Sequence, residues 1–309
     1  MSASAYLFPG QGSQAVGMGA DLAEASPAAR EVFRAGDEVL GFSISTHCFE
    51  GPEPELRRTV NTQPAVFIVS WACLQASRHG GLLTDAMPPA FVAGHSLGEY
   101  TAVVASGSLT FEAGLRLVRE RARLMEEAGR QQAGTMAAVV GLDIDRLEEV
   151  CGEAGVEIAN LNGPDQIAIS GEVEALKRAM DLARSAGARR VIPLPVGGAF
   201  HSRLMRPASE GMRKALERVE FKEPRMPIVA NTSGRPLTTA LGVRDELASQ
   251  ICAPVLWQRG VEYMVSKGVS EFFEVGPGKV LSGLVKRISP QVNAFNVGDA
   301  ASLGVAKAG

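Results

Sequence analysis

The sequence predicts an α/β fold that carries a second, smaller unit, and three observations support this prediction. An apolar run at 89–93 leads into a glycine-rich turn and then into a small, helix-compatible segment, which is typical of a strand, a turn and a helix. The segment 131–195 has the order β-α-β-β-α-β, which is typical of a ferredoxin-like unit. A chain of 309 residues also exceeds one typical core. We therefore expect a large subdomain at 1–130 and 196–309 and a small one at 131–195.

Within the large subdomain, buried strands are expected to alternate with helices. The expected strands are 5–8, 89–93, 227–230 and 271–275, and the expected helices are 17–40, 63–80, 111–127, 244–252 and 257–267. A further helix should follow the turn at 276–278. Beyond Pro290 the pattern is weak, and the last ten residues are expected to form a tail.

The small subdomain should form a separate sheet. Its expected strands are 135–140, 156–160, 166–170 and 189–194, and its expected helices are 144–154 and 173–185. About sixty residues suffice for such a unit. We expect it to be an insertion that roofs one end of the larger sheet.

Composition excludes several classes of function. The formal net charge is −3, and no basic run is interleaved with aromatic residues, so neither nucleic acid nor a charged membrane surface is an expected partner. Neither a run of about twenty apolar residues nor a signal peptide is found, which predicts a cytoplasmic protein. The four cysteines are scattered, so we expect reduced thiols and neither a metal site nor disulfides. A monomer is compatible with the sequence, which does not determine the oligomeric state.

The loop Pro9–Gln14 follows the first expected strand and resembles a phosphate-binding loop only superficially. Ala15 stands where a dinucleotide-binding motif needs its third glycine, and no Lys-Ser or Lys-Thr pair follows. Nucleotide binding is therefore not predicted. The loop does offer backbone N–H groups that could point at a ligand.

The segment Gly94–Tyr100 contains the pattern G-x-S-x-G between an expected strand and an expected helix. This arrangement is typical of a nucleophile elbow, in which a strained turn exposes a serine hydroxyl at a helix N-terminus. Ser96 is then the candidate nucleophile. Short motifs of this kind also occur by chance, so the pattern alone leaves an ordinary turn equally open.

Arg121 is the most informative residue outside the elbow. Its neighbours three and four positions away are Leu117, Val118, Leu124 and Met125, so the cation faces the buried side of its helix. A buried guanidinium needs an anion, which could come from a protein carboxylate or from a ligand. The alternative, which the helix pattern alone favours, is that the side chain extends to the surface.

A serine nucleophile needs a base, and the sequence has four histidines. His47 and His79 lie near loops or helix ends and are expected to be structural, while His95 is held within the turn itself. His201 follows a glycine-rich connection at 196–199 and is therefore the candidate base.

Five motifs together resemble the malonyl-CoA:acyl carrier protein transacylases of fatty acid synthesis and the acyltransferase domains of polyketide synthases. They cover nearly the whole chain in the order of that family, and the combination is highly specific although each motif alone is not. The motifs are Phe8–Gln14, Gly94–Tyr100 with Arg121, Ala199–Ser202, Gln250–Trp257 and Glu274–Gly278.

The resemblance implies an α/β-hydrolase-like large subdomain with a ferredoxin-like small one, and a serine acyltransferase mechanism. Ser96 would be acylated, and His201 would be its general base and acid. Backbone N–H groups of Gln11 and Leu97 would form the oxyanion hole. The backbone carbonyl of Gln250 would orient the histidine in place of a triad carboxylate.

The resemblance also implies the substrates. Malonyl-CoA would donate the malonyl group to the phosphopantetheine thiol of acyl carrier protein, without a cofactor or a metal. Arg121 would hold the free carboxylate of the malonyl group, and Asn162 would lie near the site. Phe200, directly before the histidine, resembles the malonyl-selective type, because methylmalonyl-selective domains usually carry serine there.

Two other classes of function remain open at this point. An esterase or thioesterase would share the elbow and the histidine but pass the acyl group to water, although its pocket would not need Arg121. A carrier-protein docking module without enzymatic activity would not need Ser96 and His201 together. The sequence also leaves open whether the pathway makes fatty acids or polyketides.

Overall fold

The chain folds into two sheets, each covered by helices, and this computed structural model describes residues 3–304. The strands are β1 (Ala3–Phe8), β2 (Phe91–Gly94), β3 (Gly134–Val140), β4 (Glu157–Gly163), β5 (Gln166–Glu172), β6 (Arg190–Leu194), β7 (Ile228–Val229), β8 (Pro236–Leu237), β9 (Val269–Val275) and β10 (Asn293–Val297). The α-helices are α1 (Ala20–Ala25), α2 (Pro27–Leu40), α3 (Ile44–Phe49), α4 (Glu53–Arg57), α5 (Thr59–His79), α6 (Gly98–Ala105), α7 (Phe111–Gln131), α8 (Ile144–Ala154), α9 (Val173–Ser185), α10 (Arg206–Leu216), α11 (Ala240–Ser249), α12 (Trp257–Ser266) and α13 (Val280–Ile288). Short 3-10 turns span Arg203–Met205 and Gln250–Cys252.

The larger sheet has the strand order β10-β9-β1-β2-β7-β8, and only the β7–β8 pair is antiparallel. In the pairing of β1 with β2, Phe8 lies opposite Gly94, so these two strands end side by side. Since β7 pairs with the other edge of β2, three adjacent parallel strands deliver their following loops to one edge of the sheet. Ligand sites of open α/β sheets lie at such carboxyl ends.

Alternation along the central strand β1 gives the sheet two buried faces. Tyr6 and Phe8 pack into the larger core with α2, α5, α6 and α7, whereas Ala5 and Leu7 pack on the opposite face with α12 and α13. Strands of a parallel sheet that is covered on both faces are apolar at nearly every position. This explains why β1 ends in the uninterrupted buried run 5–8.

The smaller sheet is antiparallel throughout and has the order β4-β5-β3-β6. Helices α8 and α9 cover one face, where Ala137, Val139, Ile167 and Ile169 form a separate core with them. The β-α-β-β-α-β order expected from the sequence is therefore confirmed. Both helices begin and end at the predicted residues, because each has a clear amphipathic pattern between well-defined ends.

The predicted fold class is confirmed, and the differences concern the bounds of individual elements. The helix expected at 17–40 is two helices, because Ser26 accepts a hydrogen bond from the N–H of Ala29 and Pro27 starts a new helix. The helix expected at 244–252 begins four residues earlier, after the N-cap Thr239, and ends at Ser249, where the 3-10 turn follows.

Five elements were missed by the sequence analysis, namely the helices α3, α4 and α10 and the strands β8 and β10. Helices α3 and α4 have only six and five residues, too few for a periodic pattern to be recognised. Strand β10 lies in the region of weak signal beyond Pro290, at the edge of the larger sheet, where four of its five residues are exposed or only partly buried. Of the predicted tail, 300–304 form turns, and 305–309 lie outside the described residues.

Candidate active site

A cavity of about 460 Å³ lies between the two sheets, a size that suits a small-molecule substrate. The larger sheet contributes the loop after β1, the turn after β2 and helix α7, and the smaller sheet contributes residues of β3, β4, β5 and β6. The cavity brings together seven of the eight residues that the sequence analysis selected, namely Gln11, Ser96, Leu97, Arg121, Asn162, Phe200 and His201. The eighth, Gln250, reaches this group through hydrogen bonds.

Ser96 occupies the turn between β2 and α6 with a backbone φ of +51°, in the left-handed region that residues other than glycine rarely adopt. The turn is tight because α6 packs directly on β1, where a Cβ at Gly98 would collide with the carbonyl oxygen of Phe8. The N–H of Ser96 donates to Oδ1 of Asn231 over 2.7 Å. This strained geometry is that of a nucleophile elbow.

His201 comes from 105 residues later in the chain and meets the serine directly. Its Nε2 lies 2.7 Å from Ser96 Oγ, while its Nδ1 lies 2.9 Å from the carbonyl oxygen of Gln250 and 3.1 Å from that of Ala253. Because carbonyl oxygens can only accept, Nδ1 carries the proton and Nε2 is free to accept the serine hydroxyl. His201 also has a positive φ of 59°, and within residues 3–304 only it and Ser96 do so among residues other than glycine.

The protonation state of His201 follows from its surroundings. Burial in the cavity wall and, after it, the neighbouring Arg121 cation lower the pKa of His201 to about 3. The side chain is only 3% exposed. The imidazole is therefore neutral at pH 7 and can act as a base.

Arg121 is 1% exposed, so the alternative in which it extends to the surface is wrong. Its Nη1 donates to Oε1 of Gln63 over 2.8 Å, and its Nη2 donates to Oε1 of Gln250 over 2.8 Å and to Ser96 Oγ over 3.1 Å. All three acceptors are neutral, and Nε is without a partner within residues 3–304. Burial lowers the pKa of this guanidinium, although Tyr100 and Glu99 oppose the effect.

The charge of Arg121 is consequently held in place but not neutralised. Two glutamine amides fix the guanidinium in the cavity wall next to the nucleophile. A buried cation of this kind attracts a ligand that brings its own carboxylate. The cavity can therefore select an acyl group with a free acid at its far end.

Gln11 and Leu97 bring backbone N–H groups to the same cavity. Neither group donates to a protein atom within the described part of the chain, and both residues line the cavity. They follow β1 and β2, whose ends lie side by side. Two unpaired N–H groups beside a serine hydroxyl can stabilise the negative oxygen of a tetrahedral intermediate.

Asn162 and Phe200 also line the cavity. Asn162 lies on β4, and its Oδ1 accepts a hydrogen bond from His95 Nε2 over 2.8 Å, which links the smaller sheet to the elbow. Phe200 directly precedes His201 and is 5% exposed. It therefore forms part of the cavity wall.

Four polar groups near the site were missed by the sequence analysis. They are the side chains of Gln63, Glu99, Asn231 and Gln250. A signal existed for Glu99, since it is the only charged residue of helix α6. Asn231 and the two glutamines act through contacts between distant parts of the chain, for which a single sequence offers no pattern.

Two other kinds of site are absent from the described residues. Within positions 3–304, no cluster of three or more His, Cys, Asp or Glu side chains is arranged to hold a metal ion. None of the helices in that range combines the length and the hydropathy that crossing a membrane requires. The four cysteines are free thiols, and three of them are buried.

Comparisons with known proteins agree with this geometry. The family model for the acyl transferase domain matches residues 5–307. The malonyl CoA-acyl carrier protein transacylase of Bacillus subtilis is 41% identical over 99% of this chain and 96% of its own. The acyl-carrier-protein-S-malonyltransferase of Bartonella henselae superposes with a TM-score of 0.94 at 40% identity, covering 98% and 97% of the two chains. A malonyl-transacylase solved in complex with its type II PKS acyl-carrier protein also gives a TM-score of 0.94, at 40% identity and 99% coverage of both chains.

Proposed function

Since the chain belongs to the acyl transferase domain family, we infer that it transfers a malonyl group from malonyl-CoA to acyl carrier protein. It is an acyl-carrier-protein S-malonyltransferase of fatty acid or polyketide biosynthesis. The single observation that carries the assignment of its chemistry is the contact of one hydroxyl, Ser96 Oγ, with both His201 Nε2 and Arg121 Nη2. A nucleophile, a base and a carboxylate-binding cation thus share one cavity.

In the first half-reaction, Ser96 attacks the thioester carbonyl of malonyl-CoA. The hydroxyl proton passes to His201 Nε2, and the C–S bond breaks when the tetrahedral intermediate collapses. The proton then leaves with the CoA thiolate. The carbonyls of Gln250 and Ala253 keep the Nδ1–H of His201 in place, which stabilises the imidazolium that forms during the step.

In the second half-reaction, the thiol of the phosphopantetheine arm takes the place of CoA. His201 accepts the thiol proton, the thiolate attacks the malonyl ester, and Ser96 recovers its proton from the imidazolium. Because the first product leaves before the second substrate reacts, the kinetics are ping-pong. This order needs a cavity that the arm of the carrier can enter after CoA has left.

The N–H groups of Gln11 and Leu97 are proposed to hold the oxyanion in both half-reactions. Donors of this kind each lower the barrier by about 3 kcal/mol in serine enzymes where they have been removed. The support for this role is that both residues line the cavity and that their N–H groups lack protein acceptors in the described residues.

Arg121 is proposed to bind the free carboxylate of the malonyl group. An acetyl group would leave the buried cation without an anion, and the cavity therefore discriminates against it. Asn162 and Phe200, which line the cavity, are proposed to shape the space for the substrate. The same requirement for a carboxylate disfavours a hydrolase of plain acyl chains.

Several expectations remain predictions of this proposal. The division into 1–130 with 196–309 and 131–195 is supported by the position of the smaller sheet, whose strands all lie between 134 and 194. A monomeric, cytoplasmic protein that binds neither nucleic acid nor membranes is likewise still a prediction from composition and charge.

Labelling with radioactive malonyl-CoA tests the mechanism. We expect one stable label per chain, located on the peptide that contains Ser96, and its transfer to phosphopantetheinylated acyl carrier protein on mixing. The matched control Ser96→Ala should take up no label, because the attacking oxygen is gone. Rapid release of free malonate would indicate a hydrolase, and a label that persists in Ser96→Ala would place the nucleophile elsewhere.

A further inference from the structure

The helix that follows the nucleophile carries a buried carboxyl group. Glu99 is in the first turn of α6, three residues after Ser96, and its side chain is inaccessible to solvent. Its Oε1 accepts from the N–H of Asn231 over 2.8 Å and from Asn231 Nδ2 over 3.0 Å, and its Oε2 accepts from Gln250 Nε2 over 2.6 Å. All three partners are neutral N–H donors, so this carboxyl group organises two amide side chains.

We propose that Glu99 is a positioning residue that holds the Ser96 backbone and Arg121 in their reactive geometry through the side chains of Asn231 and Gln250. This inference rests on the proposed function, because it concerns the same acyl transfer. It assigns a task to a residue that does not line the cavity.

The first part of the argument concerns the backbone of Ser96. Asn231 Oδ1 accepts from the N–H of Ser96 over 2.7 Å, while Gln250 Nε2 donates to the carbonyl oxygen of Ser96 over 2.8 Å. Both polar groups of this strained residue are therefore held by side chains that Glu99 binds. A left-handed residue other than glycine persists only where its surroundings determine it in this way.

The second part concerns the orientation of the Gln250 amide. Its NH2 group donates to Glu99 and to the Ser96 carbonyl, so its oxygen must point the other way, toward Arg121 Nη2 at 2.8 Å. The oxygen of Glu99 that faces this amide accepts its N–H, and this hydrogen bond disfavours rotation of the amide by 180°. The Gln250 oxygen that accepts from Arg121 is thus kept in place by Glu99, which binds the NH2 group of the same amide.

The third part is the unfavourable environment of the carboxyl group. Burial, followed by the nearby carboxyl group of Glu246, raises the pKa of Glu99 well above its usual range. The N-terminal end of α6 and the three N–H donors offset this penalty only in part. An acidic residue in such a place is consistent with a positioning task that an apolar residue could not perform.

Glu246 provides an internal comparison. It is also buried and accepts from the same loop, with Oε1 2.8 Å from the N–H of Thr232 and Oε2 2.5 Å from Thr232 Oγ1. Its hydrogen-bonded partner is Thr232, which contacts neither Ser96 nor Arg121 through these groups. Glu246 therefore supports the loop at Thr232, whereas Glu99 binds the two amides that hold the elbow.

The test is the acylation rate of the variant Glu99→Gln, which keeps the shape but replaces one acceptor oxygen by a donor. Rapid mixing with labelled malonyl-CoA gives the rate constant per active site and, separately, the fraction of sites that react. We expect the rate constant to fall about 10- to 100-fold with more than half of the sites still reactive, and kcat to fall more than KM rises. A purely structural role would reduce the reactive fraction and leave the rate constant unchanged, and that result would overturn the proposal.

Two further variants complete the experiment. Glu246→Gln is the matched control and should acylate within about twofold of the wild type. Asn231→Leu removes the acceptor of the Ser96 N–H while leaving Glu99 in place, and it should acylate slowly for the same reason. If Glu99→Gln does not fold, the Asn231 variant decides the question, because a wild-type rate there would contradict the proposal.

The outcome can be separated from that of the proposed function. A wild-type protein that takes up no malonyl label would refute the acyl transfer itself. A wild type that is labelled normally, together with Glu99→Gln that reacts at the same rate, would refute only the positioning role. In the double variant Glu99→Gln/Asn231→Leu, the losses should combine to less than their product, since the two residues act through one contact; a full product would contradict the coupling.

Discussion

The two sides of the cavity differ in the kind of residue that they supply. The larger subdomain contributes the hydroxyl, the imidazole, the guanidinium and the free N–H groups, at Ser96, His201, Arg121, Gln11 and Leu97. The smaller subdomain contributes mainly apolar side chains and a few amides, namely Met136, Ala138, Ala168, Leu194, Asn160, Asn162 and Gln166. Groups that change charge or form bonds are thus confined to one side.

The difference has a geometric reason. Adjacent parallel strands end at one edge of their sheet, and the loops and helix N-termini that follow can converge on one point. An antiparallel sheet instead presents a face of side chains that alternate along each strand, which is suited to a wall. The wall is tied to the reactive side by the hydrogen bond between Asn162 and His95 and by backbone hydrogen bonds of Val255 to Ala159 and Leu161.

The largest expected effect comes from removing the cation of the reactive side. Arg121→Ala should lower kcat/KM for malonyl-CoA about 10²- to 10³-fold, because a buried charge-assisted pair with the substrate is lost. Activity toward acetyl-CoA should rise relative to that toward malonyl-CoA. Steady-state kinetics with both substrates provide the measurement.

Arg123→Ala is the matched control for that prediction. Arg123 lies two residues further along α7, is about half exposed, and contacts Glu120 and Glu127 on the surface of the same helix. We expect its kcat/KM to stay within twofold of the wild type, since exposed pairs contribute little. A variant at Arg121 that retained its preference for malonyl-CoA would exclude the carboxylate-binding role.

A second prediction concerns the desolvation of His201 on the reactive side of the cavity. Because the pKa of His201 is lowered to about 3 in the folded protein, against about 6.5 in an unfolded chain, the unfolded state binds more protons between these values. The wild type should therefore lose stability as the pH falls below about 6.5. His201→Asn lacks this term and should lose less, by up to about 2 kcal/mol at pH 5.

Urea unfolding of both proteins at pH 7.5 and pH 5 measures this difference. The exposed residue His79, at the end of α5, provides the control variant His79→Asn, which should follow the wild type at both values. Equal acid destabilisation of the wild type and His201→Asn would mean that the imidazole is not desolvated in the folded protein.

The smallest effect is expected from a change in the wall that the smaller subdomain forms. Asn162→Ala removes the acceptor of the His95 hydrogen bond and should reduce kcat/KM about tenfold, a change that corresponds to about 1.4 kcal/mol. Asn293→Ala, at an exposed position on the edge strand β10, is the control and should have wild-type activity. A loss at Asn162 as large as that at Arg121 would show that the wall takes part in the chemistry.

The sequence by itself determined the features that depend on local pattern. The apolar run before Ser96 and the glycines around it predicted the elbow, and the neighbours of Arg121 at three and four positions placed it on the buried side of α7. Helices α8 and α9 were predicted to the residue because their periodicity and their ends are encoded within the segments themselves.

Only the tertiary structure decided which groups form hydrogen bonds with the polar side chains of the site. The sequence placed Arg121 on the buried side of its helix but favoured a side chain that extends from there to the surface, whereas the fold buries it against Gln63 and Gln250, which are 58 and 129 positions away. The carboxyl group of Glu99 meets Asn231 at a separation of 132 positions. Such contacts arise because adjacent parallel strands and a returning loop converge on one edge of a sheet, and no periodicity along the chain records that convergence.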